Sequence, residues 1–506
     1  MVIQKFKTFI TILTIGVLVS CTQNKSDQKT LRIHLPSYKL VLDPHKMEDL
    51  YSMAVVTQIY RGLLRYSSPG DVLPDIAESW TQSPDQKVYR FKLKSMTFSD
   101  GSPITATNVQ MSFARIFHLG ASIGADIDYI EGAKKFRETK NINDLGIKVI
   151  TPDFVEFHLS KPSALFLIQL AVTDCAILPL KKFDDTLDFT SKGVFSGPYK
   201  ITKSIDETGL TIEKWRPDSL ESKSPPKTIF YLASDKKPVL LAMEGITDTL
   251  DHDKVTDTEK AELLKKGWGP TPTELTGEAF VILNPKSLSK ELRSYLYSMI
   301  DSKELIQRLG SNALNPAYGL IPQGVPGDLE ESQGKELKLM NRYTGPKAII
   351  ELDYDETSDL EQKIISYLKE KWQHPKIELK ITSFPKNEKL GRMFQKKAQV
   401  TIGRKSLDYP DGYSVLTYFK GSYESNYFYV NDPKIDEALL DVIQIFEPKK
   451  RELGYKEIQK SILKHYTVIP LFFGTEASGL WSNKVLSVPS HSMGIHTLPV
   501  ESIEMR

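Results

Sequence analysis

The chain has 506 residues, 40% of them apolar and 26% charged, and its formal net charge is +2. That length exceeds one ordinary core and calls for two or three domains. A near-neutral balance with both signs interspersed excludes a nucleic-acid binder built on a basic surface. Two cysteines, Cys21 and Cys175, with no Cys-x-x-Cys pair exclude a zinc ribbon or a dithiol redox motif.

The chain opens on "MVIQKFKTFITILTIGVLVSC". Lys5 and Lys7 precede an apolar-plus-threonine run from Phe9 to Val19, which at eleven residues is too short to cross a bilayer as a mature helix. It ends in Leu18-Val19-Ser20-Cys21, which resembles a bacterial lipobox. That implies cleavage after residue 20 and acylation of Cys21, with residues 21–30, "CTQNKSDQKT", as a polar tether. The expected mature protein works outside the cytoplasm, held by lipid on the cell membrane or in the periplasmic space. No other segment is long and apolar enough to span a membrane.

Downstream, "TLRIHLP" and "VYRFKLK" alternate as half-buried strands do, and "SDGSP" turns. Thr105 can cap a helix from Ala106 to about Phe117 with Val109, Phe113 and Ile116 on one face. "VEFHLS" is a further strand, and "GPYKI" with "GLTIEKW" reads as a hairpin. Cys175, in "AVTDCAILPL", sits in an apolar run and reads as a buried, inert thiol. From about residue 275 strands and helices alternate: the strand "AFVILN", one helix over "KELRSYLYSMIDSKELIQRL", and the strand "AIIELDYD". A helix over "DLEQKIISYLKEKW" follows, then strands "KIELKIT" and "AQVTIG", helices near 433–446 and 449–465, and the strand "VIPLFF". This alternation predicts an α/β unit with a partly parallel sheet.

Catalytic patterns fail on context. "GASIG" (120–124) matches the G-x-S-x-G elbow, but a helix rather than a strand precedes Ser122. His491 and His496 lie five apart in a loop pattern, with no H-E-x-x-H in the chain. "DYDETSD" lacks the glycine and final glutamate of an EF-hand. No enzyme activity, metal site or cofactor is expected.

The stretches "LDPHKMED", "QIYRGLLRY", "LPDIAESWTQSPDQKVYRFKLKSMTFSDGSPITATNVQMSF", "SGPYKI" and "LDYPDG" resemble the landmarks of family 5 solute-binding proteins, the peptide-binding components of ABC importers. The resemblance runs in order from about residue 31 to about 485. It implies an α/β, periplasmic-binding-protein-like fold, with two hinged lobes plus an additional domain and a discontinuous first domain. The implied boundaries are 30–52, 172–272 and 478–506 for domain I, 53–171 for domain II and 273–477 for domain III. The implied partners are a peptide ligand and an ABC permease, with a monomer expected. Alternatives kept open are a metal chelate, a modified peptide or an acidic small molecule as cargo, and an adhesin or receptor role.

By the same resemblance, Asp408 in "GRKSLDYPDGYS" occupies the position that grips a ligand's α-ammonium, and Asp411 reads as a turn residue after Pro410. Peptide-binding members carry Gly-Trp upstream, where this chain has Arg404-Lys405. If 404–408 is extended, Arg404 and Asp408 share a face about 13 Å apart and could grip a short zwitterionic or acidic ligand; the alternative is that Arg404 reaches solvent or neutralises Asp408. The strip from Tyr38 through Leu40 to Val41 is expected to pair its backbone with an extended peptide. Phe280 and Phe384 are expected to wall the cleft, with the pocket beside Phe280 small or apolar.

Overall fold

The computed structural model describes residues 29–506 apart from 36–39, 48, 68–69, 218–221, 251–254, 271–276, 312–313, 341, 422–425, 475–478 and 490–496. Cys21, Tyr38, His491 and His496 lie outside the described residues.

Three larger sheets organise the chain. The first runs Thr30–Leu35, Thr228–Ala233, Gly209–Lys214, Tyr199–Asp206, with its first pair parallel and the others antiparallel. Its strands therefore come from segments separated by more than 160 residues of chain, as a discontinuous unit requires. The second sheet, Ala77–Gln82, Val88–Leu93, Phe154–His158, Ile147–Thr151, is antiparallel throughout. The third is mixed, in the order Asn315–Pro316, Val468–Phe473, Gly277–Leu283, Val400–Ser406, Ala348–Asp355, Ile377–Phe384. Its last three strands are parallel neighbours, and the helix Asp359–Lys371 makes one of the crossovers.

Local chemistry accounts for the elements. The helix Ala106–Leu119 starts at Thr105, whose N–H and hydroxyl both donate to the Asn108 side chain at 2.8 Å. It stops at Gly120, whose φ of 68° suits a residue without Cβ. Its Val109, Phe113 and Ile116 are fully buried against the second sheet. The strands Gly277–Leu283 and Val468–Phe473 are buried along their whole length, as central strands covered on both faces should be. The "KELRSYLYSMIDSKELIQRL" segment is two helices rather than one, Lys290–Ser298 and Ser302–Leu309. Asp301 breaks it: its carboxylate accepts from the N–H groups of Lys303 and Glu304 and caps the second helix.

Apolar side chains of the segments around the second and third sheets, the second and third regions, form one continuous cluster, while the first sheet and its surroundings, the first region, keep their own. The chain passes between the first and third regions twice, between Pro270 and Gly277 and again between Phe473 and Leu480. The small sheet Thr249–Leu250, Leu480–Trp481, Gly269–Pro270 joins the two passages. The C-terminal segment is pinned by Arg61, whose guanidinium donates to Asp75 at 2.5 Å and to Glu501 at 2.8 Å, all three buried. Among the described residues, no helix is long and apolar enough to cross a membrane.

Candidate ligand-binding cleft

The strand Val400–Ser406 ends two residues before Asp408. Asp408 is then fixed from the C-terminal side: its backbone N–H donates to the Ser414 hydroxyl at 2.8 Å, and the Tyr418 hydroxyl donates to its carboxylate. Asp411 makes the turn that allows this, accepting the Tyr413 N–H at 2.9 Å while its own N–H bonds the Tyr409 carbonyl. Asp408 keeps an accessible surface, yet burial pushes its carboxyl above the usual range and the nearby Lys405 pulls it back. Asp408 is thus exposed at its solvent side while protein packed around it disfavours its charge.

The opposite wall comes from the second region. Hydrogen bonds that cross between it and the third include Thr417 to Asp126 at 3.3 Å, Gln169 to the Tyr409 hydroxyl at 3.3 Å, and the Ala164 N–H to the Ile443 carbonyl at 2.8 Å. Burial and the neighbouring Asp408 push the Asp126 carboxyl up to about 7; Thr417, Lys405 and Lys420 oppose that rise. Burial and Asp408 likewise push Asp174 up to about 7. Carboxylates from sequence positions far apart thus face the same space.

A crevice leads off it, lined among others by Glu278, Phe280, Lys405, Tyr418, Phe419 and Phe428. Glu278 and Lys405 stand directly opposite on adjacent antiparallel strands. Lys405 lies over the Tyr418 ring. Burial lowers its ammonium to about 8, against the pull of Asp408, Asp126 and Glu278. Burial drives Glu278 well above the carboxylate range despite Lys405, and its Oε1 has no hydrogen-bond partner among the described residues.

Several sequence expectations change here. Segment 404–408 is not a continuous strand, so strand alternation does not carry Arg404 onto the Asp408 side; Arg404 is exposed, and Lys405 is the cation beside Asp408. Phe280 does line the crevice, edge-on to Phe428 at 5.1 Å between ring centres. Gly403 lies across from it in register, where an added Cβ would strike the ring. The crevice is not a purely apolar pocket, because Glu278 and Lys405 line it and its other rings come from residues 418–428. Phe384 sits on the outermost strand of the third sheet under the Arg392 guanidinium, 4.4 Å away, and is not gathered with Asp408. Leu40 is half-buried on the first core, and the Val41 N–H is occupied by the Ser52 hydroxyl at 2.9 Å. The buried, bidentate Asp43–Arg115 pair at 2.6–2.8 Å ties the adjoining loop to the helix Ala106–Leu119. Burial alone would raise Asp43, but Arg115 more than offsets it, and burial drives His45 beside them down to about 3. Ser122 follows a helix and Gly120, with no strand leading into it, and Cys175 is buried, its thiol pushed up by burial. Asp353 and Asp355 of the acidic run are taken by Arg392 and by Thr357, and no metal-binding group of side chains occurs among the described residues.

Sequence reasoning missed Asp126, Asp174, Glu278 and Tyr418. Only Glu278 left a local signal, a lone acid at the head of an otherwise apolar central strand.

Residues 71–427 match the model of the bacterial extracellular solute-binding proteins, family 5. The periplasmic oligopeptide-binding protein OppA of Escherichia coli is 23% identical over 470 residues, 86% of this chain and 85% of that protein. The dipeptide-binding protein DppE of Bacillus subtilis is 22% identical over 534 residues, 94% of this chain and 95% of that protein. Among solved structures, Haemophilus influenzae OppA in complex with the peptide RPPGFSPFR superposes with a TM-score of 0.77 at 18% identity, covering 94% of this chain and 99% of that one. The oligopeptide-binding protein of an oligopeptide ABC transporter of Borrelia burgdorferi gives 0.77 at 20% identity, covering 94% and 100%. The fold is therefore that of the periplasmic oligopeptide-binding proteins, and this chain belongs to the bacterial extracellular solute-binding proteins of family 5.

Proposed function

We propose that this chain is an extracytoplasmic substrate-binding protein that captures peptides by lobe closure and delivers them to an ABC permease. In this reading Cys21 carries the lipid anchor, and one chain forms a complete site as a monomer. The domain division is 30–52, 172–272 and 478–506, then 53–171, then 273–477. The chain performs no covalent step, consistent with relatives that are named as binding proteins of transport systems.

One observation carries the reading. Asp408, exposed just beyond the strand Val400–Ser406, is held by Ser414 and Tyr418 and acts electrostatically on Asp126 of the second region. A peptide α-ammonium there makes a charge-assisted hydrogen bond worth roughly 1.5–3 kcal/mol. It also relieves carboxylates that otherwise repel one another, so the ligand favours the closed arrangement over the open one. Native mass spectrometry of the purified protein tests the reading: co-purified peptides support it, and a co-purified ligand without an amine defeats it.

A further inference from the structure

Resting on the peptide reading, we infer that Lys405 is a resident cation which the ligand's α-ammonium displaces: it stands beside Asp408 in the ligand-free protein and moves its ammonium to Glu278 when a peptide is bound.

The first position is set by Tyr418. The Lys405 ammonium lies over its ring, and the Tyr418 hydroxyl donates to the Asp408 carboxylate. One phenol therefore holds the resident cation on its face and Asp408 at its edge. Two ammonium groups that close repel strongly where protein displaces water, so a peptide α-ammonium at Asp408 drives Lys405 away. The hold on Lys405 is weak. Burial outweighs the pull of Asp408, Asp126 and Glu278 and brings its ammonium down to about 8, which still leaves it charged at neutral pH.

The second position is set by Glu278. It stands directly opposite Lys405 on the adjacent antiparallel strand, where cross-strand side chains meet. Glu278 is buried, and its Oε1 has no hydrogen-bond partner among the described residues. Burial favours its protonated form, but a protonated carboxyl still offers an acceptor oxygen, so the site needs no ionised glutamate. The crevice that both residues line, with Ser406 and Tyr418, has room for about one water, the size of an ammonium head. Lys405 reaches it from its own strand by turning about its side-chain bonds. The move satisfies a buried oxygen and separates the two cations.

The test is calorimetric titration of the full chain at about pH 7 with tri-alanine and N-acetyl tri-alanine, in the wild type, Lys405→Met, Glu278→Leu and the double variant. Lys405→Met should bind tri-alanine about tenfold more tightly than the wild type, with no gain for the acetylated peptide. Glu278→Leu should bind it about fivefold more weakly, because the displaced ammonium finds no acceptor. That loss should vanish in the double variant, where no ammonium is displaced. Lys405→Met that binds tri-alanine no more tightly than the wild type would overturn the inference while leaving peptide capture intact. So would a Glu278→Leu loss that is absent, or that is equal with and without Lys405. Failure of tri-alanine to bind the wild type would overturn the peptide reading and this inference with it. The Lys405→Met comparison leaves Glu278 in place, so poor folding of Glu278→Leu does not spare the idea.

Discussion

Thr417 donates to Asp126 at 3.3 Å, a bond between residues 291 positions apart that joins the second and third regions within the electrostatic reach of Asp408. Its acceptor is one of the carboxylates that Asp408 pushes upward. The bond that helps hold the two walls together therefore sits in the same field that a ligand's ammonium would neutralise.

Asp408→Asn removes the charge while keeping the side chain's size. We expect an affinity loss of about 10- to 100-fold for tri-alanine, from a charge-assisted bond of roughly 1.5–3 kcal/mol. N-acetyl tri-alanine should bind the wild-type chain as weakly as tri-alanine binds the variant. Titration calorimetry on both peptides checks this, and equal affinity for the acetylated and free forms would contradict it.

Stability and affinity should move in opposite directions with pH. Asp126 and Asp174 titrate near 7 in the fold and near 4 in the unfolded chain. Between those values the folded state holds more protons, so their contribution to stability is present in acid and is lost as pH rises through about 7. The ligand-free protein should lose stability across that window relative to the Asp126→Asn, Asp174→Asn double variant. Peptide affinity should instead rise, because the ionised carboxylates attract the ammonium. Urea denaturation and calorimetry at about pH 5.5 and about pH 7 read the two trends.

Arg404 and Lys405 are adjacent in sequence and should behave differently. Arg404→Ala removes an exposed side chain and should change stability by no more than about 0.5 kcal/mol. Lys405→Met removes a cation shared by three carboxylates. Burial outweighs the pull of those carboxylates and holds its ammonium down at about 8, so replacing it should raise the melting temperature of the ligand-free protein at about pH 7 and enlarge the upward shift that a peptide ammonium produces. Thermal melts with and without peptide distinguish the two, and matching behaviour of the variants would refute the assignment.

Arg61 satisfies two buried carboxylates, Asp75 and Glu501. Arg61→Ala leaves both without that partner and should cost about 3–5 kcal/mol in urea denaturation, with the C-terminal segment more open to proteolysis. A loss under about 1 kcal/mol would show that solvent or rearrangement replaces the guanidinium.

Elements with strong local patterns are legible in the amino-acid sequence. The helix Ala106–Leu119, the strand Val88–Leu93 and the hairpin Tyr199–Asp206 with Gly209–Lys214 follow from apolar spacing, caps and turns within a dozen residues. The split at Asp301 is hidden because the apolar spacing runs on through it, while the cap that stops it is a single side chain. The side-chain partners at the cleft are hidden for another reason. Asp126, Asp174, Glu278 and Lys405 lie on different elements, and no local pattern relates them.

Sequence alone determined the family and the alternation of strands and helices in the third region, because these depend on residue order and local periodicity. Tertiary structure decided which cation stands beside Asp408, which carboxylates face it and where the aromatic crevice ends. Those are outcomes of strand register and of two regions in contact, and burial there sets the state of the charged groups.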